Sequence, residues 1–305
     1  MTAQIFSIKN QTEKSAASFF YSHKDKIEQE IARSISSFGE KSKLRDAVEY
    51  SLTSGGKRFR PVVVFLIAEA LKHELNVSDA ALSVEFFHTA SLIADDLPCM
   101  DDEDERRGKP TVHKVFGETI ALLSSYALIT AAFERIHKNA EAMKEAGAPF
   151  SNFSERACMI ALESASRCAG ILGATGGQFL DLFPPNHSLD TVKQVIYKKS
   201  VTLFEVAFVF GWVFGGGDLS QIEMIKKTSY HLGMAFQIAD DITDIESDEK
   251  KQHEMNLARL IGKERALYVF EEELNKFRQA LIDLKLNTPS FEKLCGMLSK
   301  LATNA

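Results

Sequence analysis

The tetrapeptide Ile-Ala-Asp-Asp occurs twice in this chain, and each copy closes a long apolar run. The first copy is Ile93–Asp96, at the end of Val84–Ala94, and the second is Ile238–Asp241, at the end of Tyr230–Ala239. Apolar stretches of this length and spacing predict buried helices. The chain must therefore fold so that two buried helices each end in a cluster of negative charges.

Both clusters extend beyond the tetrapeptide, and carboxylates held this closely repel one another. The first reads DDLPCMDDEDERR from Asp95, and the second reads DDITD from Asp240. Two unit charges ~5 Å apart at an effective dielectric of ~20 cost roughly 3 kcal/mol, so such clusters persist where water screens them or a cation neutralises them. Carboxylate oxygens suit Mg²⁺, which proteins usually hold together with substrate phosphates. A solvated acidic helix end is the alternative, and the duplication counts against it.

The spacing within each cluster predicts its local structure. Asp240 and Asp244 are four residues apart and share one helix face, with Asp241 about a third of a turn round. Asp95 and Asp101 are six residues apart with a proline between them, and a regular helix cannot align them. We therefore expect the first helix to end in a bulged or unwound segment.

The remainder of the chain has helical periodicity, and no convincing alternating strand pattern appears. Seven prolines and seventeen glycines in 305 residues disfavour a loop-rich fold. The predicted helices cover approximately residues 14–37, 43–53, 61–74, 78–96, 117–139, 153–174, 189–215, 219–247, 256–285 and 289–302. We predict one all-α domain over residues 1–305, a bundle of about ten helices in which residues 1–13 form a flexible arm.

Composition excludes several classes of function. The net charge of −6 disfavours nucleic-acid binding. The N-terminal stretch MTAQIFSIKNQTEK does not resemble a secretory signal, and the four cysteines do not have the spacing of a zinc or redox motif. We therefore expect a cytoplasmic protein. The most apolar run, Val201–Gly217, is too short for a bilayer and contains Glu205, so we do not expect an integral membrane protein. The alternative is an organelle protein whose targeting sequence has been removed.

A second motif, Gly55–Pro61, reads GGKRFRP and predicts an anion site. A glycine turn precedes three cations at the start of a helix, where backbone N–H groups and the helix dipole already favour negative charge. Lys57 adds a point charge and Arg60 a fork suited to phosphate. Arg106 and Arg107, directly after the first acidic cluster, strengthen the phosphate interpretation over that of a basic surface turn.

Several polar residues lie in apolar surroundings and are further candidates for the site. His88 lies seven residues before Asp95, on about the same helix face. Gln237 and Asp241 are four residues apart and point to a common cavity. Gly176 and Gly177 predict a helix break, which is followed by the polar pair Gln178 and Asp181, and Lys199 and Ser200 are likewise polar groups in apolar surroundings. Ordinary polar packing is the alternative for each of these.

These motifs together resemble one enzyme family. The string EFFHTASLIADDLPCMDDEDERRGKPTVHKVFGE, Glu85–Glu118, is similar to the first aspartate-rich region of the short-chain trans-polyprenyl diphosphate synthases. GGKRFRP, GGQFLDL and FQIADDITD match that family's other signatures in the same order, and the resemblance runs from about Ala47 to Ala266. It implies an isoprenoid synthase-type bundle around a central cavity. It also implies a homodimeric enzyme that joins isopentenyl diphosphate to an allylic diphosphate, which can be dimethylallyl, geranyl or farnesyl diphosphate.

The resemblance also implies a role for each matching residue. About three Mg²⁺ ions would hold the allylic diphosphate through two aspartate sets, with Arg106 contacting the same diphosphate. The first set is Asp95, Asp96 and Asp101, and the second is Asp240, Asp241 and Asp244. Isopentenyl diphosphate would be bound by Gly56, Lys57, Arg60, His88 and Arg107. Lys199, Ser200 and Gln237 would assist the leaving group and the carbocation, and Gln178 would complete the substrate-binding set.

The length of the product can be predicted sterically. The prenyl tail should extend from the first cluster back along its helix, so that Ala90 and Ser91 form the floor. Family members that stop at fifteen carbons usually carry a bulky aromatic residue at the position of Ala90. The small side chain here predicts the twenty-carbon product, geranylgeranyl diphosphate. Phe86 or Phe87 could still close the tunnel, and farnesyl diphosphate is the alternative product.

The chain departs from the family pattern in two places. The family's Lys-Thr-Gly is Lys199-Ser200-Val201 here, which puts local backbone room in doubt. The segment Glu246–Gly262 is shorter than usual, so that Glu254 stands where the family has a later lysine and Asn256-Leu257-Ala258 replaces Thr-Tyr-Pro. Lys250 or Lys251 would have to supply the missing cation. A weakly active or non-catalytic regulatory homologue is therefore a rival interpretation.

Three other classes fit less well. A ferritin-like oxidase is suggested by Glu85-x-x-His88 and Glu134-x-x-His137, but it leaves both aspartate clusters unexplained. A terpene cyclase would normally mix Asn, Ser and Glu into its second metal motif, which here is all aspartate. An EF-hand beginning at Asp102 lacks the required glycine and glutamate.

Overall fold

The computed structural model describes residues 20–251 and 254–303, and these are almost entirely helical. The helices are α1 (20–34), α2 (Lys43–Thr53), α3 (Phe59–Leu71), α4 (Ser78–Asp95), α5 (Val112–Phe116), α6 (Glu118–Glu145), α7 (Ser154–Ala169), α8 (Ala174–Leu182), α9 (Leu189–Val195), α10 (Thr202–Phe214), α11 (Ile222–Thr243), α12 (Ile245–Lys251), α13 (Leu257–Ile261), α14 (Lys263–Asp283) and α15 (Pro289–Thr303). A π-helical segment, Ile196–Val201, joins α9 to α10. The predicted all-α class is confirmed.

Several predicted helices are interrupted, and glycine or a change of helix type accounts for three of the breaks. The predicted helix 219–247 is also divided, at Asp244 between α11 and α12, and the break predicted at Gly176-Gly177 is wrong because both glycines lie within α8. The helix predicted at 153–174 ends at Ala169, and α8 begins after Gly173, whose added Cβ would lie 1.9 Å from the Cys168 carbonyl oxygen. The helix predicted at 189–215 contains the π segment, and that at 256–285 is divided by Gly262 at φ +84°. Local backbone requirements therefore override the apolar periodicity at these points.

A short antiparallel ladder, which was not predicted, follows the first acidic cluster. Strand β1 (Glu105–Arg106) pairs with β2 (Lys109–Pro110). Arg107 and Gly108 form the turn between them with φ of +57° and +72°, and two consecutive positive φ values suit a tight hairpin. The hairpin turns Arg106 and Arg107 in different directions, which matters for the site.

Helix α10 lies at the centre of the fold because all its residues except Thr202 and Glu205 are apolar or glycine. All thirteen of its residues are buried, and it packs against α3, α4, α7 and α11. Gly211 permits the close approach to α3, since a Cβ there would lie 2.9 Å from the Val64 carbonyl oxygen. The buried apolar core extends from Phe20 to Ala302. Around it, α4 and α11 both direct their C-terminal ends towards one cavity.

The two acidic helix ends have the predicted local structures. Helix α4 ends at Asp95, and the chain then turns so that the Asp101 N–H donates to the Asp95 carbonyl oxygen at 2.8 Å. The predicted departure from a regular helix at this point is confirmed. Helix α11 ends at Thr243, and the Asp244 N–H donates to the Asp240 carbonyl oxygen at 2.9 Å, which keeps these two aspartates on one face.

Some expectations lie outside the described residues or stay predictions. The proposed flexible arm, residues 1–13, and the side chains of Lys250 and Lys251 are not described.

Two segments, Glu118–Glu145 and Phe150–Leu182, are long and apolar enough to cross a membrane by length and composition alone. Core helices of soluble proteins meet the same criterion of length and composition.

Candidate active site

A polar cavity of about 620 Å³ lies where α3, α4, the hairpin, the π segment and α11 meet. Asp95 at the end of α4 and Asp240 near the end of α11 both line it. Asp95 and Asp240 are 145 residues apart in the sequence, yet the two acidic clusters face a single space. Lys57, Arg60 and Arg107 line the same cavity, so it combines both signs of charge.

The aspartates of the first set are held in three different environments. Asp96 is buried and accepts from Arg106 Nε, with Nε–Oδ distances of 2.7 and 2.9 Å. Asp101 is exposed and accepts from Gln178 Nε2 at 2.8 Å. Asp95 lies between them at the cavity wall. Burial raises the pKa of Asp95 to about 7, because Lys199 and Arg106 only partly offset burial and the neighbouring Asp101 and Asp96.

The second set divides into two outward aspartates and one inward aspartate. Asp240 accepts from Lys57 Nζ at 3.0 Å, which connects the GGKRFRP turn to α11. Asp244 follows the last residue of α11 and is exposed. Asp241 is 6% exposed, and its two oxygens accept from Gln237 Nε2 at 2.9 Å and from the Leu257 N–H at 2.8 Å. The metal role of Asp241 stays a prediction, and its carboxylate has other partners in this structure.

The GGKRFRP turn and the hairpin together build the cationic side of the cavity. Gly56 has φ +138°, which favours glycine, and an added Cβ would lie 2.6 Å from the Arg107 guanidinium, so a larger residue would displace this arginine. Arg107 also donates to the Gly55 carbonyl oxygen. Arg60 lies 4.7 Å from the Phe204 ring centroid and is buried. The structure thus brings the predicted isopentenyl diphosphate residues together.

Two buried nitrogen atoms in this region are suited to an anion. Within residues 20–251 and 254–303, neither Arg60 Nε nor His88 Nδ1 has a hydrogen-bond partner. Burial lowers the pKa of Arg60 to about 10, with Asp240 and Glu85 opposing, so the guanidinium stays charged at neutral pH. Burial, then Arg60 and Arg107, lower the pKa of His88 well below its usual value. A neutral histidine and charged arginines therefore face the ligand space.

The π segment places Lys199 beside the first aspartate set. Lys199 Nζ lies 2.5 Å from Asp181 Oδ2 and 3.9 Å from Asp101 Oδ2. Burial alone would lower the pKa of Lys199, but these carboxylates and Asp95 raise it above its usual value, so the ammonium is charged. Gly177 on α8 permits this arrangement, because a Cβ there would lie 2.3 Å from the Lys199 backbone nitrogen. Asp181, noted in the sequence without an assigned role, is therefore part of the site.

The substitution of valine for the family's glycine is accommodated from the opposite helix. Val201 lies against Gly233 of α11, where an added Cβ would be 3.0 Å from the Val201 Cα. The missing side chain at position 233 leaves room for the valine. The doubt about local backbone room is resolved, and Lys199 and Ser200 keep their positions on the cavity wall.

A second cavity of about 380 Å³ continues from the polar one and is mostly apolar. The two share Ser91, Asp95, Lys199 and Leu203. Farther in, its lining includes Phe87, Ala90, Ser125, Ile129, Phe179 and Phe183. Both predicted chain-length residues, Ala90 and Ser91, therefore line a space that opens from Asp95. An apolar shaft beneath a charged cavity suits a molecule with a polar head and a hydrocarbon tail.

The aspartates fit a magnesium site chemically. In the part of the chain that the structure describes, no three His, Cys, Asp or Glu side chains are grouped closely enough to hold an ion. The donors are nevertheless carboxylates on two sides of one cavity, which is the ligand type Mg²⁺ prefers. The raised pKa of Asp95 indicates that the surrounding positive charge does not fully compensate its ionised form. Such a site favours an added cation.

The fold and site define an all-α isoprenoid synthase. The model of the polyprenyl synthetase family matches residues 41–256, so the chain belongs to that family and is a trans-prenyltransferase. Geranylgeranyl pyrophosphate synthase 3, chloroplastic, from Arabidopsis thaliana is 36% identical over 255 residues, which cover 78% of this chain and 68% of the relative.

Solved structures have the same fold. A geranyltransferase from Legionella pneumophila superposes with a TM-score of 0.81 at 23% identity, covering 96% of this chain and 99% of that one. A geranyltranstransferase from Thermotoga maritima superposes with a TM-score of 0.76 at 28% identity, covering 94% and 99%. The substrates of family members are isoprenyl diphosphates.

Proposed function

We propose that this protein condenses isopentenyl diphosphate with an allylic diphosphate, requires Mg²⁺, and releases mainly geranylgeranyl diphosphate. The observation that carries the proposal is that Asp95 and Asp240 line one cavity, from which an apolar shaft continues past Ala90. The relative named a geranylgeranyl pyrophosphate synthase supports the product assignment.

The two substrates are assigned to opposite sides of the polar cavity. Isopentenyl diphosphate lies against Lys57, Arg60, His88 and Arg107, where Arg60 Nε and His88 Nδ1 can bind its diphosphate. The allylic diphosphate lies between the two aspartate sets, with its tail in the apolar cavity. Mg²⁺, when bound by the aspartates, neutralises charge that develops on the leaving diphosphate.

Residues on the cavity walls support ionisation and coupling. Lys199, kept charged by Asp181, stabilises the departing diphosphate. The allylic C–O bond breaks, the alkene of isopentenyl diphosphate attacks the carbocation, and a proton leaves to the released diphosphate. The chain therefore has to supply charge, position and a dry pocket, and no protein base is required.

A direct incubation tests this function. Purified protein is mixed with isopentenyl diphosphate, Mg²⁺ and dimethylallyl, geranyl or farnesyl diphosphate in turn, and the products are separated by chain length. We expect diphosphate release and a twenty-carbon product. Farnesyl diphosphate as the sole end product would refute the length assignment. Absence of diphosphate release with every primer would refute the enzymatic function and favour a regulatory binding role.

Enlarging Ala90 should shorten the product. Ala90 is 1% exposed and lines the apolar cavity, so a phenyl ring in Ala90→Phe would occupy space that the last isoprene unit needs. We expect the main product to contain fifteen carbons or fewer, measured by chromatography of the dephosphorylated alcohols. Ala146→Phe, at an exposed position after α6, is the matched control and should leave the distribution unchanged. Unchanged product length in Ala90→Phe would contradict the assigned floor.

An apolar stripe on α6 supports the proposal of a homodimer. Leu122, Tyr126 and Ile129 share one helix face and are 40%, 56% and 37% exposed, and Met159 on the adjacent α7 is 62% exposed. Sedimentation velocity should give about twice the chain mass of 33.9 kDa. Tyr126→Glu should shift the protein to the monomer, whereas Tyr268→Glu on α14 should not. A monomeric wild-type protein would contradict the dimer.

A further inference from the structure

We propose that Asp241 and Asn256 form a positioning relay that fixes the Gln237 amide and thereby sets the direction of the Ser200 hydroxyl. This inference deepens the proposed function, on which it rests. It gives a role to the segment Asn256-Leu257, which departs from the family pattern. It also assigns Asp241 the task of holding Gln237.

A continuous series of hydrogen bonds carries the proposal. Ser200 Oγ donates to Gln237 Oε1 at 2.6 Å, and Gln237 Nε2 donates to Asp241 Oδ1 at 2.9 Å. The other oxygen of Asp241 accepts from the Leu257 N–H at 2.8 Å. Ser200 and Gln237 line the polar cavity, whereas the side chain of Asp241 is buried. The series therefore runs from the cavity wall into the core.

Asn256 anchors the buried end of this series. It is 1% exposed, and its Nδ2 donates to the Asp241 carbonyl oxygen and to Asp248 Oδ2, each at 2.8 Å. Its Oδ1 accepts from the Arg259 N–H at 2.9 Å and caps α13. Asn256 thus fixes α13 against α11, which places the Leu257 N–H at Asp241. A threonine could not make these three contacts, because its hydroxyl carries one donor only.

The donor-to-acceptor direction of these hydrogen bonds is determined by the Asp241 carboxylate, at the buried end of the series. Both Asp241 oxygens accept from N–H donors, so Gln237 must turn its NH₂ group inward and its carbonyl oxygen towards Ser200. The Ser200 hydroxyl must then donate its hydrogen bond to the carbonyl oxygen of Gln237. The lone pairs of Ser200 Oγ are left facing the cavity, where they can stabilise positive charge on the prenyl chain.

Exchanging the acid and the amide tests this direction. In Asp241→Asn, the new oxygen can accept from the Leu257 N–H, but the new NH₂ group then faces Gln237, which has to reverse. Ser200 loses its acceptor and turns its proton to the cavity. We expect kcat to fall about tenfold, with KM for both substrates within about twofold.

Adding Gln237→Glu to Asp241→Asn restores an acceptor for Ser200 while conserving net charge and every hydrogen bond. We expect kcat to return to within about threefold of wild type. The matched control is Ser229→Ala, which removes a buried hydroxyl from α11 that donates to the Lys226 carbonyl oxygen. It should leave kcat unchanged.

The outcomes separate the relay from its alternatives. Normal kcat in Asp241→Asn, or a double variant no faster than the single one, would overturn the relay. A double variant that melts far below wild type would also overturn it, because the exchange should retain all contacts. Product formation by the wild-type protein tests the proposed function separately, since the relay is judged only from ratios among variants.

Discussion

Replacing Asp95 or Asp240 by asparagine will lower kcat by about a thousandfold. Each substitution removes one negative charge from the wall of the polar cavity and changes few packing atoms. Asp95 stands at the junction of the polar and apolar cavities, and Asp240 stands across from it beside Lys57. Both are proposed to hold the Mg²⁺ ions that neutralise the leaving diphosphate, so loss of either should act mainly on kcat. Steady-state diphosphate release at saturating Mg²⁺ measures the effect.

The control for this experiment is Asp283→Asn, at an exposed aspartate on α14 that accepts a hydrogen bond from Gln279 Nε2. It makes the same change of charge outside the cavity and should retain full activity. Chelation of divalent ions should abolish wild-type turnover, and added Mg²⁺ should restore it. Activity that survives both chelation and the two substitutions would contradict the assigned metal role, while normal melting temperatures would exclude unfolding as the cause.

The sequence predicted the fold well because its helices are long and their apolar positions have a clear period. Helix α2 was predicted with the observed bounds, and α4 ends within one residue of its predicted end. The breaks were missed where a single backbone feature decides the outcome, as at Gly173. The hairpin was missed because its two-residue strands are too short to show alternation, and Arg107 of its turn was interpreted only by its charge.

The site could be predicted as a set of residues but not as a set of contacts. The repeated tetrapeptide indicated that Asp95 and Asp240 act together, and they do face one cavity. Equivalent roles were predicted for Asp240 and Asp241, whereas helix rotation turns Asp240 towards Lys57 and buries Asp241 beneath Gln237. Only packing against α13 reveals this difference. The pattern of residue types in the sequence therefore identifies the chemistry of the site, but it does not identify the hydrogen-bond partner of each side chain.

Arg58 is the other residue whose role only the structure reveals. It stands between two proposed substrate-binding cations, but its side chain is fully buried and binds Glu85 of α4 and Glu28 of α1. It also donates to the Leu52 carbonyl oxygen at the end of α2, and its own φ is +51°. Arg58 therefore joins three helices behind the turn that presents Lys57 to the cavity.

Replacing Arg58 by methionine should lower the free energy of unfolding by about 3–5 kcal/mol, because Glu85 would be left charged and buried without its partner. Glu85 is 1% exposed, so water cannot replace the guanidinium. The matched control is Arg33→Met, whose partner Glu30 lies 2.9 Å away on the surface, and it should cost less than about 1 kcal/mol. Thermal and urea unfolding compare the two variants.

A second substitution separates the buried charge from the lost packing. Arg58→Met combined with Glu85→Leu removes both charges, and apolar replacement of a buried pair is often close to neutral. We expect the double variant to recover at least half of the stability that Arg58→Met loses. The KM for isopentenyl diphosphate should be higher than that of the wild-type protein in both the single and the double variant, since the turn bearing Lys57 and Arg60 no longer has a charged anchor. Equal losses in the single and double variants would show that packing, and not the unpaired carboxylate, governs this part of the fold.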